Sequence, residues 1–273
     1  MDRDQHARSP LAGRCIAITR PSEQAPAFAE QLEAAGARVV TLPTIAIASA
    51  ADTTDLDHAL ANLATFDWTI LTSANGVHAV ADRLTALGLG WETRGRARIA
   101  VIGPATAHAL EEQGVTPDYM PDEYVAEAIL VGLGNVAGQR VLLARADIAR
   151  RALADALRVR GAEVVEIAAY RTIPQHADPV ALRRLLEDDR PDVITFTSSS
   201  TVTGLMESIG AQGRAPDQAL AGIILACIGP ITAETVRTFG LAPAICATDY
   251  TIPGLLRAII AYFSPVSSGP EGV

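Results

Sequence analysis

The chain has 273 residues, 49% of them hydrophobic, and a formal net charge of −9. All 22 basic residues are arginine, which excludes a Schiff-base lysine and the lysine-bearing G-x-x-x-x-G-K-[ST] phosphate loop. The length suits about two domains, and a pI near 5.0 argues against a broad nucleic-acid or anionic-membrane surface, which needs a basic face.

The opening MDRDQHARSP is polar and lacks the apolar core of a signal peptide. CIAIT (15–19) is a short β-branched run, and AFAEQLEAAG (27–36) follows with helical spacing and a closing glycine. RVVTL (38–42) is strand-like again, and PTIAIASA (43–50) is extended. WTILT (68–72) leads into the helical NGVHAVADRLTALG (75–88), and RIAVIG (98–103) into PATAHALEEQG (104–114). Asp122, Glu123 and Tyr124 read as a structural helix start, and AAYRTIPQH (168–176) as a second extended crossover. Residues 1–12 and 265–273 read as disordered tails. Strands alternating with helices of 10–15 residues predict an α/β protein with parallel sheets.

The second half repeats the order of the first. Arg20 aligns with Arg145, GARVV (36–40) with GAEVV (161–165), and DWTILTS (67–73) with DVITFTS (192–198), all at one offset. IGPATA (102–107) aligns with IGPITA (228–233), Gly114 with Gly240, and Tyr124 with Tyr250, one residue further on. Such a period is too long for a solenoid. It predicts two similar α/β domains with a cleft between them, and the two extended crossovers predict a two-stranded β linker.

Four places share one construction: a strand ends, hydroxyls or glycine follow, and a helix begins. They are Thr72-Ser73-Ala74-Asn75-Gly76, Gly103-Pro104-Ala105-Thr106, Thr197 to Thr201, and Gly229-Pro230-Ile231-Thr232. Ligands of open parallel sheets bind at the carboxyl ends of the strands, and a helix N-terminus offers free N–H groups to an anion. This makes Thr72, Ser73, Asn75, Gly103, Thr106, Ser198, Ser199, Gly229, Pro230 and Thr232 candidate anion-binding residues, although ordinary capping accounts for any one loop alone. Arg20 and Arg145 end equivalent strands and suit bidentate carboxylate binding; the competing reading of Arg145 is an ion pair with Asp147.

Other chemistry finds little support. His6, His58, His78, His108 and His176 are scattered without ligand spacing, so no metal is expected. No G-x-S-x-G elbow is present, and Gly132-Leu133-Gly134 follows a helical run where a dinucleotide fingerprint needs a strand. Cys15, Cys227 and Cys246 sit in apolar runs without a C-x-x-C pair, as buried reduced thiols of a cytoplasmic protein would. No apolar stretch reaches the ~18 residues of a membrane span. Tyr170 lies in the linker-like AAYRT, where its hydroxyl either shuttles a proton or packs.

In their order and spacing, ITRP, LPTIAI, ILTSANGV, AVIGPATA, AAYRT, FTSSSTV and CIGPITA with Gly240-Leu241 resemble the uroporphyrinogen-III synthase family, from about residue 14 to residue 262. The resemblance implies two α/β domains joined by a two-stranded ladder, one discontinuous: residues 14–44 with 175–264, and residues 45–174. It implies a cyclising hydro-lyase of tetrapyrrole and heme biosynthesis. Such an enzyme removes water from hydroxymethylbilane, inverts ring D through a spiro intermediate and releases uroporphyrinogen III, with no cofactor or metal. It places Thr72, Ser73, Thr106, Ser198 and Thr232 at the family's site motifs, Arg20 at its arginine after the first strand, and Tyr170 at the tyrosine that assists loss of the hydroxyl. Thr197 to Thr201 is richer in hydroxyls than the family pattern. The implied partner is the linear tetrapyrrole, with at most transient contact with the bilane-forming enzyme; the chain is expected to be a monomer that binds neither nucleic acid nor membrane. The alternative is a non-catalytic tetrapyrrole-binding protein of the same fold, and that role would need an output module for which the matched region leaves little chain.

Overall fold

The computed structural model describes residues 9–122, 126–149, 151–175 and 177–264. His6, Glu123, Tyr124, Arg150, His176 and both outer tails therefore lie outside the described residues. The inner part of the expected N-terminal tail belongs to the fold: Leu11 is fully buried beside Phe28 and Leu32, and its N–H bonds Ala35 O at 2.9 Å.

Ten strands occur among the described residues. They are β1 (Cys15–Ile18), β2 (Arg38–Thr41), β3 (Ile45–Ser49), β4 (Trp68–Leu71), β5 (Arg98–Val101), β6 (Arg140–Ala146), β7 (Glu163–Pro174), β8 (Val193–Phe196), β9 (Ile224–Cys227) and β10 (Ile245–Cys246). They form two five-stranded sheets, ordered β10-β9-β8-β1-β2 and β3-β7-β6-β4-β5. Pairing is parallel at β1 with β2 and β8, β9 with β8 and β10, β4 with β5 and β6, and β6 with β7. The chain divides into two compact units: unit 1 runs up to Ala46 and resumes at Pro174, and unit 2 is Ile47–Ile173.

The repeat explains the strand order. β1 and β2 are the counterparts of β6 and β7, β8 and β9 those of β4 and β5. Each sheet therefore joins the opening strand pair of one repeat (β1 and β2, or β6 and β7) to the later pair of the other (β8 and β9, or β4 and β5). Even the edge is copied: β10 pairs beside β9, and Tyr119 forms a parallel bridge to Ala100 of β5.

Central strands are buried on both faces, as parallel strands flanked by helices must be. In unit 2, Leu71 of β4 faces Leu60, Val80, Leu84 and Leu110, whereas Trp68 and Ile70 face Ile129, Leu153 and Leu157. In unit 1, Ala17 of β1 faces Leu205 and Val236, and Ile16 and Ile18 face Phe28, Leu32 and Leu255. Each large side chain of this kind contributes about 1.5–3 kcal/mol when fully buried. Equivalent glycines stop equivalent helices: Gly36 (φ +95°) follows the helix Ala25–Ala34 and Gly161 (φ +85°) the helix Ala152–Val159. In both, the residue after the glycine donates back into the last turn, Ala37 to Leu32 O at 3.0 Å and Ala162 to Leu157 O at 3.1 Å, a left-handed closure that glycine adopts without Cβ strain.

Among the described residues, no helix is long and apolar enough to cross a membrane.

Candidate functional site

In each sheet the chain reverses its direction of winding at one place. In unit 1 it lies between β1 and β8, in unit 2 between β6 and β4. Ligands of doubly wound sheets bind at such switch points, outside the carboxyl ends of the strands. Arg20 follows β1 and Ser198 follows β8; Thr72 and Ser73 follow β4, and Arg145 lies at the end of β6. Strand order thus gathers these candidates at two equivalent edges, one per unit.

Tyr170 reaches the unit 2 edge through a β-bulge. Arg145 pairs with Ala168 but Ala146 pairs with Tyr170, so Ala169 is an extra residue. A bulge of this kind re-aims the following side chain. As a result Ala169 and Tyr170 are consecutive yet both enter the same core. The Tyr170 side chain is buried, and its hydroxyl lies 2.9 Å from Ser73 Oγ. Ser73 also caps the helix Ala74–Ala86, accepting from Gly76 N–H at 3.1 Å. Burial pushes the Tyr170 pKa above the usual tyrosine value, the hydrogen bonds from Ser73 and Asn75 oppose it, and the charge of Asp147 adds to the rise. Tyr170 is therefore a protonated acid at neutral pH. Thr72 is half-buried between β4 and Ser73.

The unit 1 edge is built from the same positions with different partners. Ser198 caps the helix Ser199–Ala211 in a capping box closed by Thr201, worth about 1 kcal/mol. Its Oγ lies 2.9 Å from Ser200 Oγ, and Ser199 Oγ accepts from Thr235 Oγ1 at 2.7 Å. Thr44 Oγ1 reaches the carbonyls of Thr19 at 3.3 Å and Thr201 at 3.0 Å, and the Thr44 carbonyl packs against Gly204, where a Cβ would not fit. Capping is thus demonstrated for Ser73 and Ser198, and both serines still stand beside the strand ends.

Gly103 and Gly229 cap the helices Pro104–Glu112 and Pro230–Thr238 without any side-chain hydrogen bond, and proline opens both. Thr106 and Thr232 sit two positions after these prolines, and both are buried. Gly229 lies under the Tyr250 ring, which a Cβ there would approach to 3.1 Å. This gives Tyr250 a packing role. Gly132, from the G-x-G pattern, closes the helix Ala126–Gly132 against Tyr119, so that pattern ends a helix and opens none.

The two arginines diverge. Arg20 donates through Nη2 to Gln24 Oε1 at 2.9 Å, and its buried Nε has no hydrogen-bond partner among the described residues. Desolvation pushes its pKa down. A buried donor left unmade costs about 1–3 kcal/mol, a cost that an arriving anion would offset. Arg145 is 4% exposed and forms its ion pair with Glu166, through Nε at 3.0 Å and through a closer Nη2 contact. The competing reading of Arg145 named Asp147 as its ion-pair partner; the ion pair seen here is with Glu166. Arg145 is in register with Ala168, so Glu166 is its diagonal same-face neighbour across the sheet. Asp147 instead accepts from Thr172 N–H at 3.1 Å. Burial raises the Glu166 pKa, but Arg145 and Arg158 outweigh it and leave the carboxyl below its usual value. The sequence reading missed Glu166, whose only signal is a carboxylate in EVVEI where the first repeat has Thr41; it also gave Gly76 no role.

Among the described residues, no group of His, Cys, Asp or Glu could hold a metal ion. A cavity of about 490 Å³ in unit 2 is lined by Asp55, His58, Asn62, Arg140 and Glu166. It opens near the starts of β6 and β7, away from the strand-end hydroxyls.

Residues 26–257 match the family described as uroporphyrinogen-III synthase HemD. A uroporphyrinogen-III synthase of Synechococcus elongatus is 38% identical over 256 residues, spanning 93% of this chain and 97% of that protein. A putative uroporphyrinogen-III synthase of Methanothermobacter thermautotrophicus is 32% identical and spans 89% and 96%. The crystal structure of a mutant uroporphyrinogen III synthase from the extremely thermophilic bacterium Thermus thermophilus matches with a TM-score of 0.65 at 22% identity, covering 90% of this chain and 97% of that one. The structure of uroporphyrinogen-III synthetase from Helicobacter pylori matches with a TM-score of 0.58 at 17% identity, covering 91% and 99%. The two structural likenesses bear on the fold alone.

Proposed function

The chain belongs to the uroporphyrinogen-III synthase family, and from that premise we propose that its strand-end loops hold a linear tetrapyrrole while Tyr170 assists the loss of water that starts ring closure. Its activity is that of a cyclising lyase of porphyrin biosynthesis, converting hydroxymethylbilane to uroporphyrinogen III. The observation that carries the proposed roles is the Tyr170 hydroxyl, held 2.9 Å from Ser73 at the switch point of unit 2.

The chemistry asks for little beyond placement. The Tyr170 proton passes to the leaving hydroxyl of ring A, the C–O bond breaks with its electron pair leaving on oxygen, and water departs. The pyrrole nitrogen lone pair stabilises the azafulvene cation that remains, with a phenolate at Tyr170. Ring D then attacks through its substituted α-carbon to give the spiro intermediate. Fragmentation and reclosure invert the ring, and the proton released on rearomatisation neutralises the phenolate. Orientation is the larger contribution, because unassisted closure gives the symmetric isomer and the enzyme has to favour a more crowded encounter.

The substrate is an octacarboxylate and the protein has no lysine. Backbone N–H groups at the Gly103 and Gly229 helix starts, the hydroxyls of Thr72, Thr106, Ser198, Ser199 and Thr232, and the guanidinium of Arg20 supply the anion contacts. Arg145 is engaged by Glu166 and in this reading shapes the edge from below. The two-stranded linker, the cleft and the discontinuous first domain of residues 14–44 with 175–264 belong to the same proposal, supported by a unit boundary that falls within β3 and at the end of β7. So do a cytoplasmic state, in keeping with three free thiols of which Cys246 is exposed where all three were expected to be buried, a monomeric state, work without metal or cofactor, and a transient meeting with the bilane-forming enzyme. No observation favours the non-catalytic alternative.

Supplying purified protein with enzymatically generated hydroxymethylbilane should consume it well above the spontaneous rate; consumption at the spontaneous rate would refute the proposal. Arg20→Ala should raise KM by about 10-fold with little change in kcat, the signature of lost uniform binding. An unchanged KM would remove Arg20 from the site.

A further inference from the structure

Two of the three cysteines meet at one sheet edge. Cys227 ends β9, Cys246 ends β10, and the two are direct partners in the parallel ladder. Ile245 and Ala247, on either side of Cys246, pack with Ala226 in the core of Phe28 and Leu255. Cys227 points the other way, to Phe196, Ala233 and Val236. Successive side chains of a strand alternate between faces, so Cys246 shares the face of Cys227. Neighbouring strands lie about 4.7–4.9 Å apart, inside the span of about 4.4–6.8 Å between Cα atoms that a disulfide bridges. Cys15 is out of reach. It opens β1, and β8 stands between β1 and β9, a separation of about 9–10 Å.

The two thiols differ in access. Cys246 is exposed and Cys227 is fully buried. Burial pushes the Cys227 thiol up to about 12; the neighbouring Cys246 adds to the rise and Arg237 opposes it. Burial raises Cys246 as well, again with Arg237 opposing. An oxidant reaches the exposed thiol first, and a buried thiol beside it is placed to resolve the product. The chain between them carries Gly229 and the helix Pro230–Thr238. The ends of that segment already meet, because Ala247 N–H donates to Cys227 O at 3.0 Å.

We propose that Cys227 and Cys246 form a reversible oxidation site, with Cys246 the peroxide-reactive thiol and Cys227 the resolving one, and that their disulfide staples the two ends of the Gly229 segment. The Cys246 thiolate attacks hydrogen peroxide, an S–O bond forms as the O–O bond breaks, and the hydroxide released takes up the thiol proton as water. The Cys227 sulfur then attacks the sulfenic sulfur of Cys246. The S–S bond forms, the S–O bond breaks, and a second water leaves with the Cys227 proton. Two thiols are oxidised and one peroxide is reduced to two waters. Side chains on in-register strands keep about the strand spacing, wider than the about 3.8 Å between Cβ atoms of a relaxed disulfide. The bond is therefore readily reduced by a dithiol. Neither thiol takes part in the proposed ring closure, so this site holds whether or not Tyr170 is the acid.

The test treats the full native chain with excess hydrogen peroxide at neutral pH, removes the peroxide with catalase, and counts thiols after denaturation. Three free thiols should fall to one, and dithiothreitol should return all three. Trypsin cuts after Arg214, Arg237 and Arg257, which puts the two cysteines in separate peptides. The oxidised protein should give these peptides joined, about 2 Da lighter than their sum for the two hydrogens lost. Cys227→Ser should stop at a sulfenic acid on Cys246 that dimedone traps. Three surviving thiols, a sulfinic Cys246 with unjoined peptides, or dimers linked through Cys246 would each overturn the proposal. The wild-type peptide map decides this even where the variant fails to fold.

Discussion

Replacing Tyr170 with Phe lowers kcat by at least about 10-fold, given the ~10²–10⁴ typical of positioned proton transfer, while the protein stays folded. The ring is buried in the unit 2 core, and phenylalanine fills the same volume. Only the hydroxyl is lost, and Ser73 keeps its helix-cap bond to Gly76. KM should change little, because the bilane carboxylates are held elsewhere. The pH dependence has a definite sign. Tyr170 works protonated and its pKa is raised chiefly by burial, so its contribution persists through neutral pH and is lost as pH rises through that raised value. Steady-state rates with enzymatically generated bilane check this, and an unchanged kcat would reduce Tyr170 to packing.

Replacing Glu166 with Ala destabilises the protein by about 3 kcal/mol, the scale for removing one partner of a buried ion pair. Arg145 is 4% exposed and Glu166 is 28% exposed, so the change takes the carboxylate from a guanidinium with little access to water. The double variant Arg145→Met with Glu166→Ala should recover most of the loss, since an apolar replacement of both partners is often close to neutral. The Glu166 carboxyl sits below its usual pKa. Its stabilising contribution is therefore complete above the unfolded value of about 4.3 and disappears as pH falls through the lower folded value. Urea denaturation of the wild type and both variants at neutral and acid pH checks the prediction; a Glu166→Ala midpoint equal to wild type would contradict it.

Much of this fold can be read in the sequence because its repeat is periodic at two levels. CIAIT, RVVTL, WTILT and RIAVIG lie on β1, β2, β4 and β5, each ending one to two residues earlier than its run. The helix read from 75 to 88 occupies Ala74–Ala86, because Ser73 rather than Asn75 supplies the cap. The extended crossovers became β3 and the second half of β7. The exchange of strands between repeats was less accessible: alignment at one offset shows that the halves are alike, and only the family resemblance said which pieces share a sheet.

The candidate site was legible as a set of strand-end positions more than as a set of contacts. Strand-end hydroxyls before helices mark an edge, and Thr72, Ser73, Ser198 and the glycine caps stand there. What each hydroxyl does depends on a partner distant in sequence. Ser73 and Tyr170 meet only because a bulge at Ala169 redirects the tyrosine. Arg20 and Arg145 look equivalent in the repeat, yet Thr41 in the first copy and Glu166 in the second give them different surroundings. The lysine-free composition acquires a physical meaning in the proposed reading, which leaves carboxylates to backbone amides, hydroxyls and Arg20.

The most direct test of the central claim is the isomer ratio of the product. Hydroxymethylbilane generated by its synthase in the presence of this protein, followed by oxidation and separation of the uroporphyrins, should give predominantly the type III isomer, with type I in the protein-free control. Type I alone in both reactions would contradict the account.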